Sequence, residues 1–144
     1  MIEVYFDGAC GPRNPGGKCG GGAAIYKDEE LIAEIADRYV PLIKGRTSNN
    51  VGEYYGLIQA LEYLIKEGLN EELIEVRGDS NLVISQMNGK WRIKAGTYIE
   101  QALIAKELKK QFSKIRFLWI PREQNERADE LSKIALNKSV TYSY

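Results

Sequence analysis

Four acidic side chains in this chain stand in short, distinctive frames. They are Asp7 in Phe6-Asp7-Gly8, Glu53 just after Asn49-Asn50, Asp79 in Gly78-Asp79-Ser80, and Asp129 in Asn125-Glu126-Arg127-Ala128-Asp129. Two of them fall where a strand is predicted to end and two where a helix is predicted to begin, so one fold could gather all four. Carboxylates held close together repel one another unless positive charge lies between them, and a set of oxygen-only ligands suits Mg²⁺ or Mn²⁺. The chemistry expected of such a set is metal-dependent phosphoryl transfer. Singly, each acid has a plainer explanation. Asp7-Gly8 reads as a turn, Glu53 and Asp129 as first-turn acids favoured by the helix dipole, and Asp79-Ser80 as a helix cap. Convergence of all four on one sheet edge is what those explanations leave out.

The elements that must carry them follow from periodicity. Ile2, Val4 and Phe6 alternate with Glu3 and Tyr5 and predict a strand ending near Asp7. Residues 8–22 hold seven glycines and two prolines and predict a loop. Ala23 to Tyr26 and Leu31 to Val40 read as two more strands, giving an antiparallel meander. Val51, Tyr54, Tyr55, Ile58, Leu61, Leu64 and Ile65 recur at helical spacing, with Ser48, Asn49 or Asn50 available as the N-cap and Gly68 as the stop. A strand at Leu73 to Arg77, a short helix at Asn81 to Met87, a helix over about 95–112, a strand at Ile115 to Ile120 and a helix from Asn125 to about Leu136 complete the order. Right-handed crossovers lay the Leu73 strand parallel to the first and the Ile115 strand beyond it. The expected architecture is therefore α/β, a five-stranded mixed sheet of order 3-2-1-4-5 flanked by helices. Asp7 and Asp79 then sit at the carboxyl ends of neighbouring parallel strands, where open α/β sheets bind ligands.

Composition narrows the setting. At 144 residues the chain suits one domain, taken as 1–138 with a frayed tail at 139–144. No run approaches a membrane span and no leader pattern opens the chain, so a cytoplasmic, monomeric protein is expected. Cys10 and Cys19 lack metal-ligand spacing and there is no histidine, which argues against structural zinc. Two reduced thiols are expected of them, with a disulfide as the alternative. Twenty basic and twenty acidic residues cancel, yet residues 88–116 hold eight Lys/Arg against two Glu, so the neutral total hides a basic side.

The four frames, in this order and at these spacings, resemble the four motifs of type 1 ribonuclease H, over about residues 1–136. That resemblance implies an endonuclease that hydrolyses the RNA strand of RNA/DNA hybrids, leaving 5′-phosphate and 3′-hydroxyl ends, with double-stranded RNA as a second candidate partner. It implies two Mg²⁺ or Mn²⁺ ions held by Asp7, Glu53, Asp79 and Asp129, with Asp7 bridging the ions. It also implies substrate contacts from Asn14, and from Arg46, Ser48, Asn49 and Asn50 ahead of Glu53, where hydroxyl and amide groups suit phosphate and 2′-OH recognition. The plain alternative for the Arg46 to Asn50 segment is a polar loop capping a helix.

Lys90-Trp91-Arg92-Ile93-Lys94 interleaves bases with an aromatic, as a surface for the DNA strand would, the alternative being a solvated loop with Trp91 tucked into the core. The longer basic insertion of several relatives is missing here. So is the histidine that many relatives carry before the last helix. Arg122 stands nearest that position; it stays charged and cannot serve as a general base. Two other classes fit parts of the pattern. A resolvase-like nuclease on the same scaffold would need the acids but no 2′-OH readers, and a non-catalytic nucleic-acid-binding module would need the basic segment but not all four acids.

Overall fold

The computed structural model describes residues 1–12, 16–41, 45–94 and 96–138. Asn14 and the tail 139–144, both assigned from sequence, lie outside the described residues. Five strands, β1 (Ile2–Gly11), β2 (Lys18–Lys27), β3 (Glu30–Tyr39), β4 (Leu73–Gly78) and β5 (Lys114–Trp119), form one sheet of order β3-β2-β1-β4-β5. β1, β2 and β3 run as an antiparallel meander, and β4 and β5 add in parallel. Among the described residues the helices are α1 (Asn49–Lys66), α2 (Asn81–Met87), α3 (Ile99–Lys109) and α4 (Glu126–Leu136), with one 3-10 turn at Arg122–Gln124. The expected topology is the observed one.

Alternation along β1 divides the molecule into two layers. Ile2, Val4 and Phe6 join Ala23, Ile25, Ile74 and Val76 against the apolar stripe of α1, including Val51, Tyr54, Leu57, Leu61 and Leu64. Glu3, Tyr5 and Asp7 point to the other face, which α4 covers over β1, β2 and β3. Beyond α4 that face is closed by charge. Arg77 donates to Glu3 at 2.7 Å, to Glu75 at 2.6 Å and to the Tyr5 hydroxyl at 2.5 Å, while Arg116 binds the other oxygen of the buried Glu75.

The loop expected over residues 8–22 is instead mostly strand. β1 continues to Gly11 and β2 begins at Lys18. The glycines are there because helices press on both faces of β2. A Cβ on Gly20 or Gly22 would fall among backbone atoms of α4, and one on Gly21 would lie 2.5 Å from the Gly56 nitrogen of α1. Glycine density here marks close packing and not chain freedom. The same register sets Cys10 opposite Cys19 with Cα atoms 4.2 Å apart, and the two are joined as a disulfide. This corrects the expectation of two free thiols, which rested on compartment and not on the pairing that the extended hairpin imposes.

α3 is shorter than the 95–112 expected. Tyr98, buried at its N-terminus, stacks on Tyr54 with ring centroids 6.0 Å apart and accepts from Gln86 Nε2 at 3.1 Å, fixing where the helix starts.

Candidate active site

Close approach of backbones builds the site. At Gly8, one residue past Asp7, the backbone of Gly52 and Glu53 occupies the space a Cβ would need, so the first turns of α1 lie directly against β1. Ser48 caps α1 by accepting from Val51 N at 3.4 Å, and its hydroxyl also accepts from Thr97 Oγ1 at 3.1 Å. Ser80 caps α2 in the same way, accepting from Val83 N at 3.2 Å, which sets Asp79 at the turn between β4 and α2. Asp129 falls in the first turn of α4.

The result is one pocket of about 260 Å³ lined by Asp7, Glu53, Asp79 and Asp129, with Asn49, Arg122 and Lys133 on its walls. All four acids singled out in the sequence are gathered there, and Arg122 sits exposed at the rim.

Their electrostatics follow from burial and mutual repulsion. Asp7 is pushed up to about 8, chiefly by burial and then by Asp79, against the Gly8 N–H that donates to its Oδ1 at 2.8 Å; Glu53 and Asp129 add to the rise. Glu53 is pushed up to about 7 by burial, with a Ser80 hydrogen bond opposing and Asp79 adding to the rise. Its Oε2 is buried without a hydrogen-bond partner. A buried, unsatisfied carboxylate oxygen among like charges is the arrangement a hard cation would relieve.

The other two acids are held by neighbours. Asp79 Oδ2 accepts from Asn125 Nδ2 at 3.1 Å, and Asp129 Oδ2 pairs with Lys133 Nζ at 2.9 Å. Held so, among the described residues no three Asp, Glu or Cys side chains are grouped closely enough to grip one ion together.

The remaining sequence candidates are dispersed. Arg46 lines a separate cleft with Tyr39, Thr97 and Glu100. Ser48 has its hydroxyl committed to the cap and to Thr97, so the plain capping reading accounts for much of its role. Asn50 lies half-buried in the first turn of α1. Trp91 is 48% exposed, not tucked into the core, and lines a groove with Leu82, Lys90, Arg92, Lys94 and Tyr98. Part of the basic stretch is spent elsewhere: Lys109 donates to the Met87 carbonyl at 2.7 Å and Arg116 binds Glu75.

Sequence reasoning passed over Lys133 as a member of the pocket and Asn125 as a partner of one of its acids. Lys133 was legible, since a lysine four residues after an acid on a helix shares its face. Asn125 stood in the sequence only as the first residue of the last motif and of the final helix, with nothing to mark a contact to Asp79.

The fold and the carboxylate pocket at the carboxyl edge of the parallel strands define a nuclease-like α/β architecture, and comparison with known proteins gives the family. A family model described as reverse transcriptase-like matches residues 6–135. Ribonuclease HI of Halobacterium salinarum is 37% identical over 136 residues, covering 94% of this chain and 64% of that protein. A bifunctional protein of Mycobacterium tuberculosis is 32% identical over 137 residues, covering 94% of this chain and 36% of that one. The crystal structure of LC11-RNase H1, isolated from compost and solved in complex with an RNA/DNA hybrid, superposes with a TM-score of 0.82 at 35% identity, covering 95% of this chain and 97% of that one. The chain belongs to the type 1 ribonuclease H family. It spans about a third of the mycobacterial protein and just under two thirds of the halobacterial one.

Proposed function

We propose that this chain is an endoribonuclease that hydrolyses the RNA strand of RNA/DNA hybrids, leaving 5′-phosphate and 3′-hydroxyl ends, with Asp7, Glu53, Asp79 and Asp129 as the carboxylates that hold two Mg²⁺ or Mn²⁺ ions. The observation that carries this reading is the pocket uniting the four acids, with Glu53 Oε2 buried and unpartnered and two carboxylates pushed toward or above neutrality. An oxygen-only donor set of this kind fits Mg²⁺ or Mn²⁺ and not a soft metal. When bound, a pair of such ions supplies an activated water and offsets charge on the leaving oxygen.

The chain's own residues do the rest. Asp7, which feels the charges of Asp79, Glu53 and Asp129, would be the central carboxylate of the set that holds the ions. Glu53 and Asp79 support it from α1 and the β4 end, and Asp129 contributes once it releases Lys133. Arg122 at the rim steadies a phosphate without taking part in proton transfer. The exposed Trp91 with Lys90, Arg92 and Lys94 offers a basic, aromatic groove for the DNA strand. The side-chain amides of Asn49 and Asn50, in the first turn of α1, suit recognition of sugar hydroxyls and not of bases.

The test is cleavage of labelled RNA/DNA, RNA/RNA and DNA/DNA duplexes with Mg²⁺ or Mn²⁺. RNA/DNA is expected to be cut with little sequence preference, and Asp7→Asn is expected to abolish cutting with the fold intact by circular dichroism. Equal cleavage of DNA/DNA would favour a resolvase-like nuclease. Activity surviving in excess EDTA would remove the metal from the reading.

A further inference from the structure

Asn125 occupies the N-cap position of α4, where asparagine ordinarily turns its side-chain oxygen back to accept from the first-turn N–H groups. It does not do so here. No side-chain cap bond is formed, and Oδ1 is buried with no partner at all. The residue is 1% exposed, so bulk solvent does not reach it. The Nδ2 end is fully used. It donates to the Phe6 carbonyl at 2.8 Å and to Asp79 Oδ2 at 3.1 Å. Both partners are acceptors, so the orientation of the amide is fixed by chemistry: the flipped amide would set an oxygen against two oxygens.

The position of this one amide in the fold gives the arrangement its meaning. Phe6 immediately precedes Asp7 on β1, and Asp79 follows the last residue of β4. The Asn125 carbonyl accepts from Asp129 N at 3.1 Å, opening the turn that carries Asp129. A single buried side chain thus ties together three of the four backbone segments that bear the acids. Asp79 is held from the other side by its own carbonyl, which accepts from Trp119 Nε1 at 3.1 Å. Asp79 is thus held at its backbone carbonyl and at one carboxylate oxygen while it lines the pocket.

We infer that Asn125 is a positioning residue: it gives up its helix cap to orient the Asp79 carboxylate for a divalent ion, through the bridge Phe6 carbonyl–Asn125 amide–Asp79 carboxylate. The inference rests on the metal-dependent reading above. Partners that orient a ligating carboxylate commonly carry a 10–100-fold effect on ion affinity.

The test is read on ion affinity as well as on rate. Mn²⁺ binding is measured from the paramagnetic resonance signal of the free ion, and hybrid cleavage gives kcat and KM. Asn125→Ala is expected to weaken Mn²⁺ binding by about 10-fold, and to lower kcat at limiting Mn²⁺ with KM for the hybrid little changed. Raising Mn²⁺ is expected to recover most of the kcat. Asn125→Ser separates positioning from capping, because serine caps helices as well as asparagine while its hydroxyl is too short to span both acceptors. It is expected to fold and yet to show the same weakened affinity as Asn125→Ala.

In an Asp79→Asn background, Asn125→Ala is expected to cost no further affinity, since the two act through one contact. Full recovery by Asn125→Ser, or additive losses in the Asp79→Asn background, would overturn the positioning role in favour of a merely structural one. Wild-type affinity in Asn125→Ala would overturn it outright. A wild-type protein that binds Mn²⁺ but leaves RNA/DNA intact would overturn the ribonuclease reading alone, because the affinity comparison still stands.

Discussion

Asp129 shares its carboxylate between the pocket and Lys133, four residues on along α4. The lysine lies 60% exposed, so the pair is worth little by itself, about 0.2–1 kcal/mol for exposed ion pairs. Its place matters more than its strength, since the ammonium competes with any cation that Asp129 is to hold. Lys133→Ala is therefore expected to tighten Mg²⁺ or Mn²⁺ binding by roughly two- to fivefold, read by calorimetric titration. Unchanged or weaker affinity would mean that the pair does not compete. In the proposed reading Arg122, exposed at the rim, acts only through its charge. Arg122→Ala is expected to lower cleavage about 10-fold, against the several orders of magnitude that follow loss of a central electrostatic group. A fall to the level of Asp129→Asn, measured in single-turnover assays, would place the arginine in the chemical core.

At the scale of elements, the glycines of β2 decide how near α4 can bring Asp129. A Cβ at Gly22 would lie 2.7 Å from the Ala128 carbonyl oxygen and 2.8 Å from the Leu131 carbonyl carbon, so α4 must shift. At Gly11 the same atom meets only Leu136 Cδ2 at 3.7 Å, an ordinary contact. Gly22→Ala is expected to lose about 1–3 kcal/mol or more and to lose activity with it, while Gly11→Ala stays near wild type. Thermal denaturation of the pair checks this, and equal stabilities would show that helix packing does not limit the site.

The same glycines explain where the sequence was legible. Strand and helix alternation in β1, α1, β4 and α4 is carried by apolar periodicity, so the topology and the gathering of Asp7, Glu53, Asp79 and Asp129 could be read directly. Residues 8–22 could not. Their strand character comes from helix backbones on both faces, a tertiary cause that overrides glycine's weak strand propensity. The Cys10–Cys19 pairing was hidden for the same reason, because register is set by the hairpin and not by the cysteines. The role of Asn125 was not legible because it forgoes the local asparagine cap for a bond spanning 46 residues to Asp79.

For the whole molecule, the site opposes the fold when no cation is present. Asp7 and Glu53 are pushed up to about 8 and about 7, both by burial first. Their unfolded values are near 3.8 and 4.5. Between those limits the folded protein binds more protons than the unfolded chain, so stability falls as pH rises. Glu34 and Glu75 act in the opposite sense: Arg127 hydrogen bonding holds Glu34 low, and Arg77 hydrogen bonding does so for Glu75, with Arg116 adding to it. Their contributions are complete above the unfolded carboxylate range and fade only in acid, leaving the neutral window to Asp7 and Glu53.

In EDTA, the unfolding free energy is therefore expected to drop by on the order of one to several kcal/mol between about pH 5.5 and 8.5. Millimolar Mg²⁺ is expected to flatten the profile, because an ion bound to the folded state alone stabilises it in proportion to its occupancy. Asp7→Asn removes the more strongly shifted of the two groups. It is expected to flatten most of the slope without metal and to leave a protein that is inactive yet more stable than wild type at pH 8.5 in EDTA. Denaturant unfolding across this pH range, for wild type and Asp7→Asn with and without Mg²⁺, decides it. A wild-type profile that rises with pH in EDTA, or an Asp7→Asn protein less stable than wild type at pH 8.5, would mean that the buried carboxylates are not in conflict and that the pocket has no need of a cation.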